Sequence, residues 1–413
     1  QGATVTTGTT ISITGLARDA GGGTVARVEV SVDGGATWNA ATGTTSWSYN
    51  WATGATPGLA LIRSRAVDNS GNVQDPPAEI TVTVRTPVTI RVPSANQPTI
   101  QSAIDAADYG DTVLVAPGTY PEHIDFKGKA ITVTSESGRP EDTIIDGGDA
   151  NPVVSFISGE GRDSTINGFT LQNGRAAFRG GGVNVQDSSP MITNNVIRNN
   201  HACQGAGTGI LSGSPLIQRN TITNNIIDFC SGSGGIGGGV GIGIQGTSFV
   251  EILDNVISDN VSSSGLANSG GGIYIFGTGA PIIKRNIIRG NSVAGWGGGI
   301  WLVLVTDAVI VQNLITGNHA YEGGGIYWIV GEPGARLVNN TIANNDATSN
   351  GSGLYINGVD VRTELTNNII VAKPGQVGLY CGGIDPLIRF NNIYSAGGPA
   401  YGGNCSSRTG TNG

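Results

Sequence analysis

Acidic and histidine side chains in the second half of the chain are the first candidates for chemistry. General acid–base catalysis needs two such groups within several ångströms, and a metal site needs several that converge. The second half of the chain contains a repeat, N-x-I-x-x-N, that predicts successive coils. When the coils are aligned on this repeat, the acids Asp254, Asp259 and Glu322 each face a non-acidic residue on the next coil. His201 and His319 share one repeat position but lie four coils apart, roughly 19 Å at the spacing of β-strands. We therefore predict no catalytic residue, and we interpret both histidines as surface turn residues. No motif predicts a metal or another cofactor, and none supports a structural Ca²⁺.

Aromatic residues at one position of successive repeats are the second candidate. Strand alternation places Ile273, Ile300, Ile326 and Leu354 inward, so that the next residue of each strand faces outward. In earlier coils, the alignment places Asn184, Leu211 and Gly241 at that outward position. Three interpretations stay open: the aromatics stabilise their own sheet, stack on sugar rings, or are covered by another protein or subunit. The predicted exposed binding stripe consists of Tyr274, Trp301, Tyr327 and Tyr355, widened by Phe276.

A repeated sequence pattern determines where these acidic, histidine and aromatic residues lie in the fold. The pattern N-x-I-x-x-N starts at Asn195, Asn220, Asn255, Asn286, Asn313 and Asn340, with degenerate copies at Asn368 and Asn392. A glycine-rich turn and an apolar strand lie between copies, as in GGGI at 270, 297 and 323. Such a repeat predicts a solenoid in which each coil pairs with its neighbours, stacked asparagines form ladders, and glycines supply left-handed backbone.

Cysteine spacing agrees with this repeat. Cys203 and Cys230 are separated by about one coil, and so are Cys381 and Cys405. Residues one coil apart stack within reach of a disulfide. The repeat thus selects these two pairings and indicates an oxidising, extracellular or cell-surface location.

The first 86 residues have a different composition, with short strands of period-2 patterning separated by turn residues. The stretches VARVEVSVDGGATW and IRSRAVDNSGNV resemble bacterial immunoglobulin-like modules, which implies a β-sandwich over residues 1–86. In that family another strand usually precedes GATVTTGTTISITG, and we expect this chain to begin too late to supply it. The stretch from Ser31 to Trp38 also fits the Asp-box of sialidases, but a single copy predicts only a hairpin turn.

Residues 87–413 resemble pectin-lyase-like right-handed β-helices, beginning with PTIQSAIDAADYGDTVLVAPGTY. That resemblance implies a right-handed parallel β-helix with a capping helix near residues 99–108, Thr99 being its N-cap. The fold hosts polysaccharide lyases, hydrolases and esterases, but the Gln/Asp/Arg motifs of pectin methylesterases and the Asp-Asp and Gly-His-Gly motifs of polygalacturonases are missing. The fold class is therefore all-β: an Ig-like sandwich followed by a right-handed parallel β-helix.

Composition limits the partners. The 413 residues carry a net charge of −8, which argues against nucleic acid and anionic membranes, and no apolar run is long enough to span a bilayer. We expect an extracellular structural or adhesive protein that self-assembles into fibres or a surface layer by strand addition at its ends and through the aromatic stripe. The alternative is a β-helix that binds or degrades polysaccharide.

Overall fold

The computed structural model describes residues 3–227, 238–262, 270–329, 334–359, 362–383 and 386–408. The chain divides into two compact units, Gln1–Ile90 with Ala106–Thr112, and Arg91–Asp105 with Val113–Gly413. The fold is all-β, as predicted. Its helical elements within the described residues are one α-helix, Ile100–Ala106, and two short 3-10 helices, Pro140–Asp142 and Asn404–Arg408.

The first unit contains the predicted β-sandwich. One sheet consists, in order, of Thr4–Thr6, Ala78–Arg85, Gly58–Asp68, Val25–Ser31 and Asn39–Ala40. The other consists of Thr10–Leu16, Ser46–Ala52 and Thr42–Gly43. Strand alternation directs one face of each sheet inward, where Val28, Val30, Trp47, Trp51 and Val82 form the buried core.

The expected absence of a strand before GATVTTGTTISITG stays a prediction, and the structure places a short strand inside that stretch. Residues Thr4–Thr6 form a short strand that pairs in parallel with Thr83, Val84 and Arg85. Val5 is buried in the sandwich core, and this packing gives so short a strand a stable position.

The Asp-box sequence is a hairpin turn, as predicted. Asp33 accepts hydrogen bonds from the Ser31 hydroxyl and from the backbone and hydroxyl of Thr37, at 2.6–2.9 Å. Gly34 and Gly35 adopt the positive φ that the turn requires. The hydrogen bond from the Thr37 hydroxyl is the main cause that holds the pKa of Asp33 well below its ordinary value. This carboxylate therefore serves the turn.

The second unit is a right-handed parallel solenoid with three sheets, here named A, B and C. Sheet A consists of Thr89–Val92, Thr112–Val115, Thr132–Ser135, Thr165–Asn167, Met191–Thr193, Leu216–Gln218, Glu251–Leu253, Ile282–Lys284, Val309–Val311, Arg336–Val338, Glu364–Thr366 and Leu387–Arg389. Sheet B consists of Gly118–Tyr120, Thr143–Asp146, Thr170–Gln172, Val196–Arg198, Thr221–Thr223, Val256–Ser258, Ile287–Arg289, Leu314–Thr316, Thr341–Ala343, Ile369–Val371 and Asn392–Tyr394. Sheet C consists of Ile124–Asp125, Val154–Phe156, Val183–Gln186, Thr208–Gly213, Ile242–Ser248, Ile273–Phe276, Ile300–Val303, Ile326–Ile329, Leu354–Asn357, Leu379–Cys381 and Tyr401–Gly403. Two further pairs lie between sheets B and C: Ile226–Ile227 with Val261–Ser262, and His319–Ala320 with Asp346–Ala347.

Inward-facing isoleucines fill the solenoid. In one coil, Ile283 of sheet A, Ile288 of sheet B and Ile300 of sheet C are fully buried. Each stacks on the equivalent residue of the next coil, as Ile283 does on Ile310. The predicted inward positions of the strands are therefore confirmed.

Two asparagine ladders join the coils at the corners, as predicted. Asn291, for example, is fully buried and donates from its side chain to Asn318 Oδ1 and to the carbonyl of Ile257, at 2.9 and 3.0 Å. The residue before each ladder position has positive φ, with Arg285 and Asn339 as examples. The ladder between sheets A and B consists of Asn195, Asn220, Asn255, Asn286, Asn313, Asn340, Asn368 and Asn391.

The predicted last copy of the repeat at Asn392 is displaced by one residue. Asn368 bonds to Asn391, which is buried, whereas Asn392 is exposed on the outer face of sheet B. The second ladder, between sheets B and C, consists of Asn200, Asn225, Asn260, Asn291, Asn318 and Asn345.

The glycine triplets make the corner before sheet C. Gly297 has a φ of 66°, and a Cβ on Gly298 would lie 2.6 Å from the carbonyl oxygen of Gly324 on the next coil. The first glycine thus supplies left-handed backbone, and the second permits the close approach of two coils.

The helix Ile100–Ala106 lies within the predicted range 99–108. Thr99 is its N-cap. The Thr99 hydroxyl accepts a hydrogen bond from the backbone N–H of Ser102 at 3.1 Å, and the Ser102 hydroxyl accepts one from the backbone N–H of Thr99. Ile100, Ala103 and Ile104 form the buried face of this helix.

One predicted disulfide, Cys381–Cys405, is present, with its Cα atoms 5.4 Å apart. Cys203 is also disulfide-bonded, but the prediction that it pairs with Cys230 falls on a residue outside the described ranges. No helix within those ranges has the length and hydropathy of a membrane-spanning segment.

Candidate functional site

The outer face of sheet C carries the predicted aromatic residues in one column. The register pairs Tyr274 with Trp301, Trp301 with Tyr327, and Tyr327 with Tyr355. The column continues to Tyr380, which the sequence reasoning missed because the glycine turn before it is irregular. We call these five residues the aromatic ladder.

The rings of the ladder stack on one another. Ring centroids are 4.8 Å apart between Tyr274 and Trp301, 4.7 Å between Tyr327 and Tyr355, and 5.0 Å between Tyr355 and Tyr380. Trp296, which the sequence reasoning also missed, lies 6.1 Å from both Trp301 and Tyr327 and joins the two halves. The rings therefore form a continuous stack along the solenoid axis, with the geometry of favourable aromatic pairs.

The prediction that this stripe is exposed is wrong for its centre. Tyr274, Trp301 and Tyr327 are only 2, 4 and 7% exposed, because each ring lies against the rings of the neighbouring coils. Burial also raises the pKa of Tyr274 and Tyr327 above the ordinary range. Of the interpretations left open by the sequence, stabilisation of the sheet by its own aromatic contacts is therefore present.

The rim of the stack remains accessible. Trp296, Phe276, Tyr355 and Tyr380 are half-buried. Glu322 is the strand partner of Trp296, and its carboxylate accepts hydrogen bonds of 3.3 Å from Ser349 and Asn350. Its charge contributes to the raised pKa of Tyr355, for which burial is the larger cause. Aromatic edges, an acid and an amide thus share one surface.

The earlier coils carry a polar surface in the same column. Asn184, Gly209 and Gly243 occupy the outward position, so the alignment of Leu211 and Gly241 with it was wrong. Because Gly209 has no side chain, the side chain of Arg179 crosses it and donates to the side chains of Gln204 and Gln245. Gly243 is the strand partner of Tyr274, so this polar surface adjoins the ladder.

Among the candidate acids, Glu322 lies at the rim of the ladder, whereas Asp254 lies at the corner between sheets A and B and is engaged in a structural contact. Asp254 forms a bidentate ion pair with Arg285 on the next coil, at 2.5 and 2.7 Å. These hydrogen bonds are the main cause that lowers the pKa of Asp254. His319 lies 3.3 Å from Asp346, which also contacts Lys373 at 3.1 Å. The strand register places His201 four coils from His319, as predicted.

An open depression of about 510 Å³ lies at the corner between sheets B and C. It is lined by Gly148, Asp149, Asn173, Arg175, Asn199, His201 and Ile226. Asp149 is the single acid in this lining, and it pairs with Arg175 at 2.8 Å. The described residues contain no group of three or more His, Cys, Asp or Glu side chains that could hold a metal ion. The outer face of sheet C, with its rings and its arginine, is therefore the stronger candidate site.

Comparisons with known proteins agree with this architecture. A family described as a right-handed beta helix region matches residues 155–342 and 237–393, and one described as a bacterial Ig domain matches residues 1–71. A comparison with curated proteins finds no match.

Two solved structures cover most of the chain. Yersinia enterocolitica family 28 exopolygalacturonase is 9% identical over 96% of this chain and 94% of that chain, with a TM-score of 0.30. The catalytic domain of a GH87 alpha-1,3-glucanase in complex with nigerose is 12% identical over 95% of this chain and 87% of that chain, with a TM-score of 0.26. At these identities and TM-scores, the likeness carries no argument about this chain.

Proposed function

The chain belongs to the right-handed β-helix family, and from that premise we propose that it is an extracellular protein that binds a polysaccharide along the outer face of sheet C. One observation carries this proposal: half-buried rings, an acid and amide side chains form one continuous strip along the solenoid. Sugars offer apolar C–H faces and many hydroxyls, so a binding surface needs rings beside hydrogen-bonding side chains.

The geometry favours an extended ligand. Each coil repeats the same positions about 4.8 Å further along the axis, so the strip offers equivalent contacts to successive units of a polymer. Because the faces of Tyr327, Tyr355 and Tyr380 are used in stacking, the ligand contacts ring edges there and meets a broader surface at Trp296. The disulfide Cys381–Cys405 and the bacterial Ig domain support an extracellular location.

Binding is tested by retention on insoluble polysaccharides and by affinity electrophoresis in gels that contain soluble ones. We expect Trp296→Ala to weaken binding roughly tenfold or more, as for aromatic anchors of other interfaces. Tyr394→Ala is the matched control, since Tyr394 is 58% exposed but lies on sheet B. If no polysaccharide retains the parent protein, or if both variants lose equal affinity, the proposal is wrong. Release of reducing ends or unsaturated sugars in the same incubations would show that the protein also degrades its ligand.

Self-association is a second candidate, and a different surface favours it. Ile287, Leu314 and Ile369 lie in one outward column of sheet B and are 39, 39 and 46% exposed. Thr221 and Thr341 occupy the same column in other coils, so a threonine fits this position. An exposed apolar strip of this kind can serve a structural or adhesive protein as a contact between copies.

Light scattering over a range of concentrations tests this second candidate. We expect the parent to associate and the double variant Ile287→Thr/Leu314→Thr to remain monomeric. A parent that stays monomeric at every concentration would exclude it and leave the polysaccharide proposal unaffected.

A further inference from the structure

In the part of the chain that the structure describes, Arg179 is a half-buried cation without a counter-charge. It is the last residue before the glycine turn of its coil, and its side chain lies so close to Gly209 that a Cβ there would be 2.3 Å from Arg179 Cγ. Nε donates to Gln204 Oε1 at 2.9 Å, and Nη2 donates to Gln245 Oε1 at 2.7 Å. Both acceptors are neutral amides. Within the described residues, no carboxylate lies at ion-pair distance from this guanidinium.

A second observation agrees with this electrostatic picture. Burial lowers the pKa of Arg179 from its ordinary value, whereas Arg285, which faces Asp254, has a raised pKa. A partly buried charge is stabilised by an opposite charge close to it. We therefore expect an anionic ligand to supply the charge that faces Arg179.

The surroundings of Arg179 are suited to a sugar unit that carries an acid group. The two glutamine bonds use only part of the guanidinium, whose planar N–H fork matches the two oxygens of a carboxylate. Phe178, 56% exposed, lies with its ring centroid 5.0 Å from Arg179 Cζ and offers an apolar surface beside the charge. Gln204 and Gln245 fix the direction of the side chain before the ligand arrives, which reduces the entropy lost on binding.

We infer that Arg179, with Phe178 beside it, is a subsite for the carboxylate of a uronic-acid unit in an anionic polysaccharide. This inference rests on the proposed function, since the subsite is the polar end of the same strip: Gly243, in the coil of Gln245, pairs directly with Tyr274. The protein as a whole carries a net charge of −8, so anions are repelled in general and attraction must come from a local cation.

The test compares three soluble polymers in affinity electrophoresis: a polyuronate, a neutral glucan and a sulfated glucan. We expect Arg179→Gln to bind the polyuronate roughly tenfold to a hundredfold more weakly than the parent does, with neutral-glucan binding unchanged. Arg179→Lys keeps the charge but not the fork, and we expect an intermediate loss. Arg336→Gln is the charge-matched control, because Arg336 lies on sheet A and pairs with Glu364. Circular dichroism and thermal unfolding check that each variant is folded.

The outcomes separate the two proposals. If the parent binds polymers but Arg179→Gln binds the polyuronate as well as the parent does, this inference is wrong and the proposed function stands. Preference for the sulfated glucan over the polyuronate would also overturn it. If none of the three polymers binds through the aromatic strip, the proposed function itself fails.

Discussion

Replacing Asn291 by alanine should destabilise the solenoid more than any exposed substitution of the same kind. The Asn291 side chain donates to Asn318 Oδ1 and to the Ile257 carbonyl, and it accepts from both the backbone and the side chain of Asn260, at 2.8–3.2 Å. All of these groups are buried, so each partner loses one hydrogen bond that water cannot replace: Asn318 Oδ1 keeps the bond from the backbone N–H of residue 291, and Asn260 Nδ2 keeps its bond to the Ile222 carbonyl. At about 1 kcal/mol for each of the four bonds, the expected loss is about 4 kcal/mol.

The assay is urea unfolding followed by far-ultraviolet circular dichroism, with amide hydrogen exchange to localise the effect. Asn392→Ala is the control, since Asn392 is exposed on sheet B, and surface changes usually alter the free energy of unfolding by about 0.5 kcal/mol or less. Exchange should accelerate first at the backbone amide of Asn260, which loses its acceptor. If the two variants unfold at the same urea concentration, or if exchange accelerates evenly along the solenoid, the ladder does not hold the coils as described.

Three further predictions concern single contacts. Cys405→Ser should cost about 3 kcal/mol, the value for closing a loop of this size, and should open the last coil to proteolysis; peptide mapping of the parent without reductant should recover the Cys381–Cys405 link. Arg285→Gln should raise the pKa of Asp254 toward 3.8 in a titration followed by nuclear magnetic resonance; because the pair lowers this pKa in the folded state, its stabilisation is present above pH 3.8 and is lost as the pH falls through the lowered value. Tyr274 should stay protonated at pH 10 in an ultraviolet titration; its pKa is raised on folding, so stability should fall as the pH rises above 10, and ionisation of Tyr274 at pH 10 in the folded protein would contradict its burial.

The sequence predicted most of the architecture because the solenoid repeats its physical requirements in every coil. The asparagine positions, the glycine corners and the Cys381–Cys405 pair follow from the spacing of the repeat, and the capping helix with its N-cap at Thr99 follows from the family resemblance. The last repeat was displaced to Asn392 because two asparagines are adjacent there, although Asn391, the buried one, is the residue with an isoleucine two positions later as the repeat requires.

The candidate site was predicted less well. Alternation gave the outward direction of Tyr274 and Trp301 correctly, but it cannot tell an outward residue from an exposed one when neighbouring coils stack their side chains. Trp296 lies outside the strand and Arg179 is far from the ladder in sequence, so their contacts depend on the three-dimensional register. An outward column that contains glycines, Gly209 and Gly243, is the signal that could have indicated the close approach of Arg179.

The reciprocal bonding of the asparagine ladders has a consequence for how this chain can change in evolution. Every internal ladder residue presents the same donors to one neighbour and the same acceptor to the other, as Asn286 and Asn313 do. Duplication or loss of one whole coil would therefore join compatible surfaces and preserve every corner bond. Insertion of a single residue between Asn286 and Asn291 would instead shift one ladder against the other. Variation in gene length should accordingly occur in steps of a coil or within the turns, and the number of coils sets how long a polymer the outer face can hold.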